Sequence, residues 1–259
     1  MGIELNGRHP LLLYGYGAYG CSLDAYFSHA TFSLLDRGFV YAIANVRGGS
    51  ENGRGHYLDG KLLNKKNSFF DFIDCAEYLI KEGWTSTNKL VIEGGSAGGL
   101  LIGGVIAFKP ELFRAAILEV PFVDIINSMS DSSIPLSVTE YDEWGNPQNV
   151  AHFEYMLSYS PYDNIDKEEN ITKPYPALLI DHALNDSRVQ YWEGLKFVAK
   201  VRHFYATPNR TRHFPTPSLV LCKTNMKQGH GGASQRYESY KEVAYRYAFA
   251  ISQVQEETK

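Results

Sequence analysis

Short apolar runs alternate with segments of helical periodicity along most of the chain. In six of these runs both faces of an extended chain are apolar, which is typical of strands buried inside a parallel sheet. The runs are residues 11–14, 39–46, 90–93, 115–120, 177–181 and 218–224. The alternation predicts an α/β protein with a mostly parallel sheet and helices on both of its faces.

Two segments have the spacing of amphipathic helices. In the first, Ser68 and Asp71 resemble a capping box that opens a helix extending to residue 80. Its apolar face consists of Phe72, Ile73, Ala76, Leu79 and Ile80. In the last helix of the chain the same spacing recurs at Tyr240, Val243, Ala244, Tyr247, Ala248 and Ile251.

Composition limits the classes of protein to which the chain can belong. A chain of 259 residues that is 44% hydrophobic can bury one large core, so residues 1–259 are predicted to form a single domain. The net charge of −4 gives no electrostatic reason to expect binding to nucleic acid or to an acidic membrane. The sequence contains no apolar run long enough to span a bilayer.

The cysteines and the first residues bear on the cellular compartment. Cys21, Cys75 and Cys222 are far apart and odd in number, which argues against a disulfide framework. Paired cysteines with metal-ligand spacing do not occur, and no cofactor is expected. The first residues lack the apolar core of a signal peptide. We therefore expect a cytoplasmic protein.

The most informative stretch is the pentapeptide that begins at Gly94 and ends at Gly98, with Ser96 at its centre. It lies between an apolar run and a helical segment, where a Gly-x-Ser-x-Gly sequence is typical of the nucleophile elbow of an α/β-hydrolase. Glycines allow the strand and the helix to approach closely, and the helix N-terminus favours negative charge on a reacting oxygen. The alternative is a glycine-rich helix start that Ser96 merely caps.

An acid and a histidine follow in the order that hydrolases require. Asp186 comes after the apolar run 177–181, and His230 comes after the run 218–224 and lies between two glycines. In this fold the order along the chain is serine, acid, histidine, each after a strand. Asp186 and His230 are therefore candidates for the orienting acid and the general base.

Seven other histidines compete with His230 for the role of base. His182 is the strongest rival because it also follows a strand, but it precedes the acid and so breaks the chain order. His9, His56 and His152 lack a preceding strand, and His203 and His213 flank a loop that contains Pro and Arg.

Several further motifs, in order along the chain, resemble the catalytic domain of the prolyl oligopeptidase family, most closely its oligopeptidase B branch. The resemblance covers about residues 10–251. The matching stretches are residues 11–20, 45–49, 94–99, 143–147, 159–164, 185–192 and 229–232. The resemblance implies a serine peptidase of α/β-hydrolase fold in which Ser96, Asp186 and His230 form the triad.

The resemblance also implies parts that this sequence lacks. Members of the family carry a β-propeller that screens the active site from large substrates, and no such domain is present in residues 1–259. The chain begins close to the third strand of the family's hydrolase domain, so the first two strands are expected to be missing. That would leave a sheet edge with unpaired backbone groups.

The resemblance assigns roles around the triad. The oxyanion would bind to the backbone N–H of Ala97 and to the hydroxyl of Tyr16, and Arg188 would bond the substrate backbone. Tyr19 would also contact substrate. Without the resemblance, Tyr16 would be interpreted as an aromatic residue packed under a glycine turn, and Arg188 as a surface arginine.

The resemblance also implies a substrate specificity, through acids at further matching positions. Glu140 and Asp142 would bind an Arg or Lys at P1, and alternate positions of an extended segment point the same way. Asp142 stands where the family usually has Glu. Asp24 matches the first of two aspartates that favour a basic P2 residue, but Tyr26 stands at the second position. The long segment 122–173 lies where hydrolases insert parts of the substrate pocket.

Taken with the family resemblance, the sequence therefore predicts a serine oligopeptidase that cleaves short peptides after Arg or Lys; without the resemblance, Glu140 and Asp142 would be interpreted as a solvated acidic loop. A peptidase of other P1 specificity, a general esterase and an inactive truncated fragment remain alternatives, because the fold alone permits many acyl transfers.

Overall fold

One parallel sheet organises the protein, as the sequence predicts. The structure is a computed structural model and describes residues 3–167, 173–206 and 218–255. Six strands pair in the order β2-β1-β3-β4-β5-β6, every neighbouring pair parallel. The strands are β1 Leu11–Gly15, β2 Val40–Ala44, β3 Leu90–Gly95, β4 Ala115–Glu119, β5 Ala177–Ala183 and β6 Val220–Asn225. All six predicted strands are confirmed.

Helices cover both faces of this sheet. In the described residues they are α1 Phe32–Leu35, α2 Arg54–Leu58, α3 Lys66–Lys81, α4 Ala97–Phe108, α5 Ile125–Ser130, α6 Tyr141–Trp144, α7 Val150–Leu157, α8 Pro161–Asn164, α9 Tyr191–Val201 and α10 Arg236–Val254. Helices α3, α4 and α9 pack in the core on one face, and α1 and α10 pack on the other. Alternate strand residues enter the two cores, since successive side chains point to opposite faces.

The predicted capping box of α3 is wrong. The helix begins at Lys66, so Ser68 lies inside it and is fully buried. The Ser68 hydroxyl donates to the carbonyl of Arg47 at 2.5 Å, and the Asp71 carboxylate accepts from the backbone and guanidinium of Arg47. Both side chains are used in tertiary contacts rather than for the helix's own N–H groups. The predicted apolar face of α3 is correct: Phe72, Ile73 and Ala76 are buried.

The predicted buried face of α10 is only partly correct. Tyr247 is buried, but Ala244 and Ala248 are exposed, and Ala250 and Val254 are buried instead. The reason is Arg246, whose guanidinium points inward and pairs with Glu93 at 3.1 Å and Glu119 at 2.7 Å. Holding this charge against the sheet turns the two alanines toward solvent.

Strand β2 forms one edge of the sheet in the described chain, where it pairs with β1 alone. Most of its residues are only half-buried, and Tyr26 and Phe27 in the preceding loop are each 79% exposed.

The segment 122–173 forms helices α5 to α8 in its described part. Among the described residues no helix is long and apolar enough to cross a membrane.

Candidate active site

Ser96 lies on the sharp turn between β3 and α4. Its φ of 57° and ψ of −118° fall in a region that residues with a side chain rarely adopt. A Cβ atom on Gly94 would lie 2.4 Å from the carbonyl oxygen of Gly98, and one on Gly98 would lie 2.8 Å from that of Gly15. Only glycine fits at these two positions, so the turn has the geometry of a nucleophile elbow.

A continuous chain of hydrogen bonds joins Ser96 to the two other candidate residues. His230 Nε2 is 2.9 Å from Ser96 Oγ, and His230 Nδ1 is 2.7 Å from Asp186 Oδ2. These three residues come from loops after β3, β5 and β6, whose carboxyl ends meet at one edge of the sheet. The arrangement satisfies the geometric requirement for a nucleophile, a base and an orienting acid.

The environment of Asp186 keeps its carboxyl group ionised. Burial acts to raise the pKa of Asp186, but hydrogen bonds from His230 and from the backbone N–H groups of Val189 and Arg188 outweigh it, and the pKa is lowered. The two backbone bonds are 2.9 and 2.8 Å long. A buried carboxylate bound in this way orients the imidazole and stabilises its protonated form.

The rival His182 belongs to the core. It is 3% exposed, its Nε2 lies 2.8 Å from Thr224 Oγ1, and burial lowers its pKa. His152 accepts from the backbone N–H of Asn146, and His56 Nδ1 lies 3.3 Å from a backbone carbonyl. His213 lies outside the described residues. Within the described chain, His230 is the histidine that contacts Ser96.

Two candidate oxyanion donors lie beside the elbow. Ala97 is the first residue of α4, where backbone N–H groups have no partner within the helix. The ring of Tyr16 packs over the same turn, 3.3 Å from the position that a Cβ on Gly98 would take. Burial raises the pKa of the Tyr16 hydroxyl to about 12, so it remains protonated and able to donate at neutral pH.

The candidate specificity acids do not lie on an extended segment. Glu140 ends a 3-10 turn and Asp142 lies in α6, so the argument from alternation along an extended chain is wrong. Glu140 is half-buried, and its Oε2 accepts from Tyr19 Oη at 2.8 Å and from Trp144 Nε1 at 2.7 Å. Asp142 is exposed. The structure thus joins Glu140 to Tyr19 and leaves Asp142 facing solvent.

The two remaining candidates lie on exposed parts of the surface. The side chain of Arg188 is exposed, and its charge lowers the pKa of Tyr16, although burial outweighs this effect. Asp24 lines a cavity of about 790 Å³ whose wall also includes Tyr41 and Tyr247. That cavity opens on the face of the sheet covered by α10, so Asp24 is not brought together with the triad.

Sequence reasoning missed two buried charged residues near Tyr16. Glu143 is 4% exposed and accepts from the backbone N–H of Tyr19, and Lys65 is 1% exposed and donates to the carbonyl of Gly17. Glu143 begins the matching stretch 143–147, which could have signalled its importance. Lys65 stands beside a second lysine in a polar segment, and nothing in the sequence distinguishes it from a surface residue.

The strain at Ser96 should appear in the stability of substituted proteins. A side chain in such a conformation costs about 1–3 kcal/mol, whereas glycine adopts it freely but loses about 0.5–1 kcal/mol more in conformational entropy on folding. We therefore expect Ser96→Gly to unfold with a free energy about 1 kcal/mol larger than that of Ser96→Ala, which retains Cβ. Urea denaturation of both variants measures this, and equal stabilities would mean that the turn is not strained.

The parallel sheet with a serine on its strand-to-helix turn defines the protein as an α/β-hydrolase. Comparison with known proteins extends this to the family level, because residues 25–257 match the model of the prolyl oligopeptidase family. The chain belongs to the prolyl oligopeptidase family. The resemblance noted in the sequence is thus confirmed.

Individual relatives agree with the family match. The chain is 47% identical over 252 residues to dipeptidyl aminopeptidase BI of Pseudoxanthomonas mexicana, covering 97% of this chain and 33% of that protein. It is 46% identical to protease 2 of Moraxella lacunata, covering 96% of this chain and 34% of that protein. Oligopeptidase B from Leishmania major superposes with a TM-score of 0.89 at 42% identity, covering 97% and 33%. The chain therefore spans about a third of the length of these relatives.

Proposed function

We propose that the protein is a serine oligopeptidase that hydrolyses short peptides after Arg or Lys. The observation that supports it most strongly is the unbroken chain of hydrogen bonds from Asp186 through His230 to Ser96. Membership of the prolyl oligopeptidase family supports the same reaction class. Residues 1–259 would form one catalytic domain.

In this mechanism Ser96 Oγ attacks the scissile carbonyl carbon while His230 Nε2 takes its proton. Asp186 accepts from Nδ1–H and so fixes the tautomer whose Nε2 is free to act as the base. The imidazolium then gives its proton to the leaving amine, and the C–N bond breaks to leave an acyl-enzyme. Water, deprotonated by His230, releases the peptide acid and restores Ser96.

The negative oxygen of the tetrahedral intermediate would bind to the N–H of Ala97 and the hydroxyl of Tyr16. Ala97 is the first residue of α4, whose dipole adds positive potential there, and the ring of Tyr16 packs over the same turn. Donors fixed before the reaction stabilise charge that develops only in the transition state, and therefore raise turnover rather than substrate affinity.

Specificity for a basic P1 residue would depend mainly on Glu140. Tyr19 and Trp144 fix Oε2 of its carboxylate, so the carboxylate would accept from a guanidinium or ammonium group with little further loss of side-chain freedom. Asp142, on the next turn and exposed, would add a second charge at longer range. Arg188 would bond the substrate backbone near Tyr16.

The whole active protein would extend beyond residues 1–259. Because the chain spans about a third of its relatives' length, we propose that the remainder, a β-propeller by the family resemblance, limits access to small peptides. The three thiols are unpaired, which supports a reducing compartment such as the cytoplasm.

Hydrolysis rates on three substrates test the proposal. An amide blocked at its amino end and carrying P1 Arg should be cleaved faster than the same amide with P1 Leu and faster than a short acyl ester. Preference for the ester would indicate a general esterase. Cleavage of Arg amides only when the residue immediately before Arg carries a free amino group would indicate a dipeptidyl peptidase, the activity named for one relative.

Removal of one oxyanion donor should lower turnover strongly. Tyr16→Phe keeps the ring that packs over Gly98 and deletes only the hydroxyl, so kcat should fall roughly a hundredfold with little change in KM. Steady-state kinetics, with thermal unfolding as the control for folding, measure this. Near-normal kcat in a folded variant would mean that the Tyr16 hydroxyl does not bind the oxyanion and that the residue serves only in packing.

A further inference from the structure

Lys65 and Glu143 lie beneath the loop that carries Tyr16, and the mechanism above uses neither. They are 1% and 4% exposed. A buried charge is costly unless its polar atoms are paired, so the partners of these groups indicate what they hold in place.

Lys65 reaches the loop from the start of α3. Its ammonium donates to the carbonyl of Gly17, to the carbonyl of Gly60 at 3.2 Å and to Ser68 Oγ at 3.1 Å. An ammonium group has three N–H donors, and all three are used here. Burial lowers the pKa of Lys65 to about 8, and the charge of Glu143 opposes that shift.

Glu143 reaches the same loop from α6. Its Oε1 accepts from the backbone N–H of Tyr19 at 3.0 Å, and its Oε2 accepts from Tyr57 Oη at 2.7 Å. Lys61 Nζ in turn donates to the Tyr57 hydroxyl at 2.9 Å. Each carboxylate oxygen is therefore fixed, one by the loop and the other by α2.

The loop that these residues hold has an unfavourable backbone conformation. Gly17 has φ of 70° and Tyr19 has φ of 58°, and positive φ at a tyrosine persists only where the surroundings impose it. Lys65 and Glu143 bond peptide groups on the two sides of Ala18, at the residue after Tyr16 and at the third residue after it. The backbone that orients the Tyr16 side chain is thereby held from two helices.

We propose that Lys65 and Glu143 are positioning residues: they clamp the loop at Gly17 and Tyr19 and thereby aim the hydroxyl of Tyr16 at the oxyanion. The inference rests on the donor role proposed for Tyr16. A displacement of about 1 Å in a catalytic group can lower turnover about a hundredfold, so release of the clamp should affect the reaction more than substrate binding.

A double-mutant cycle tests the proposal in the full chain. Lys65→Met removes the three donors at similar side-chain length, and it is made alone and together with Tyr16→Phe. Turnover of a P1 Arg amide is expressed per Ser96 labelled to completion by a fluorophosphonate, so unfolded protein is not counted. We expect Lys65→Met to lower kcat at least about tenfold with KM nearly unchanged, and to cause no further loss in the Tyr16→Phe background.

Lys66→Met provides the matched control, because Lys66 is the next residue on α3 and lies over the Tyr155 ring, away from the loop. It should retain full turnover. Tyr57→Phe provides a gentler second variant that frees Oε2 of Glu143, with an expected loss of about fivefold that likewise disappears in Tyr16→Phe. It serves as the test if Lys65→Met fails to fold.

Two results overturn the proposal. In the first, Lys65→Met or Tyr57→Phe lowers kcat by the same factor with Tyr16 present and in Tyr16→Phe, or does not lower kcat at all. These contacts would then not act through the Tyr16 hydroxyl, while the proposed peptidase activity would stand. Full turnover in Tyr16→Phe alone would remove both the donor role of Tyr16 and the positioning role built on it.

Discussion

Ser96→Ala should lower turnover on the order of a millionfold while the fold remains intact, and His230→Ala should cost nearly as much. The reason is that serine and histidine act as a unit: without the base the hydroxyl is a weak nucleophile, and without the hydroxyl the base has no proton to take. The double variant should therefore lose little more than either single variant. Asp186→Asn should lower turnover less, about ten-thousandfold, because Ser96 and His230 remain in place although the imidazole of His230 is held in the wrong tautomer.

Single-turnover and steady-state rates on a P1 Arg amide measure these losses. Ser133→Ala is a suitable control, because Ser133 is exposed and bonds Asp131 in its own loop. Losses from Ser96→Ala and His230→Ala that multiply in the double variant would show that the two residues act independently, contrary to a triad.

Replacing Glu140 and Asp142 by their amides should lower hydrolysis after Arg at least about a hundredfold, because a desolvated charge pair with the substrate is worth a few kcal/mol. Hydrolysis after an uncharged residue should change little. The amide oxygen that Glu140→Gln introduces can still accept from Tyr19 and Trp144, so the pocket should keep its shape. The measurement is the ratio of kcat/KM for P1 Arg and P1 Leu substrates.

The single variants separate the two acids. Glu140→Gln should account for most of the loss because Glu140 is half-buried and fixed, whereas Asp142 is exposed. Asp142→Glu should improve Arg over Lys, because the longer side chain can reach the guanidinium fork. Glu154→Gln, an exposed acid on α7, controls for the change in net charge. Unchanged Arg preference in the double amide would mean that both acids are solvated surface groups.

The sheet and the elbow were predictable from sequence because they depend on local patterns. Continuous apolar runs identify buried parallel strands, and the glycines around Ser96 reflect contacts made within a few residues. The proximity of Ser96, Asp186 and His230 follows from topology, since each lies after a strand and the carboxyl ends of parallel strands meet at one sheet edge. The comparisons confirm the family to which these motifs point.

The remaining features depend on contacts between residues far apart along the chain. Lys65 is separated from Gly17 by 48 positions, and Glu143 from Tyr19 by 124, so no local pattern marks either contact. Arg246 lies on the inward face of α10 and pairs with Glu93, which is 153 positions away. A hydrophobic pattern assigns a charged residue to solvent unless its distant partner is known.

Labelling of the full chain with a fluorophosphonate, followed by mass spectrometric mapping of the modified peptide, tests the central claim most directly. The hydrogen-bonded group of Ser96, His230 and Asp186 predicts one adduct, on Ser96, that disappears in Ser96→Ala and is greatly slowed in His230→Ala. Labelling at a different serine, or no labelling of a folded chain, would contradict the assignment of Ser96 as the nucleophile.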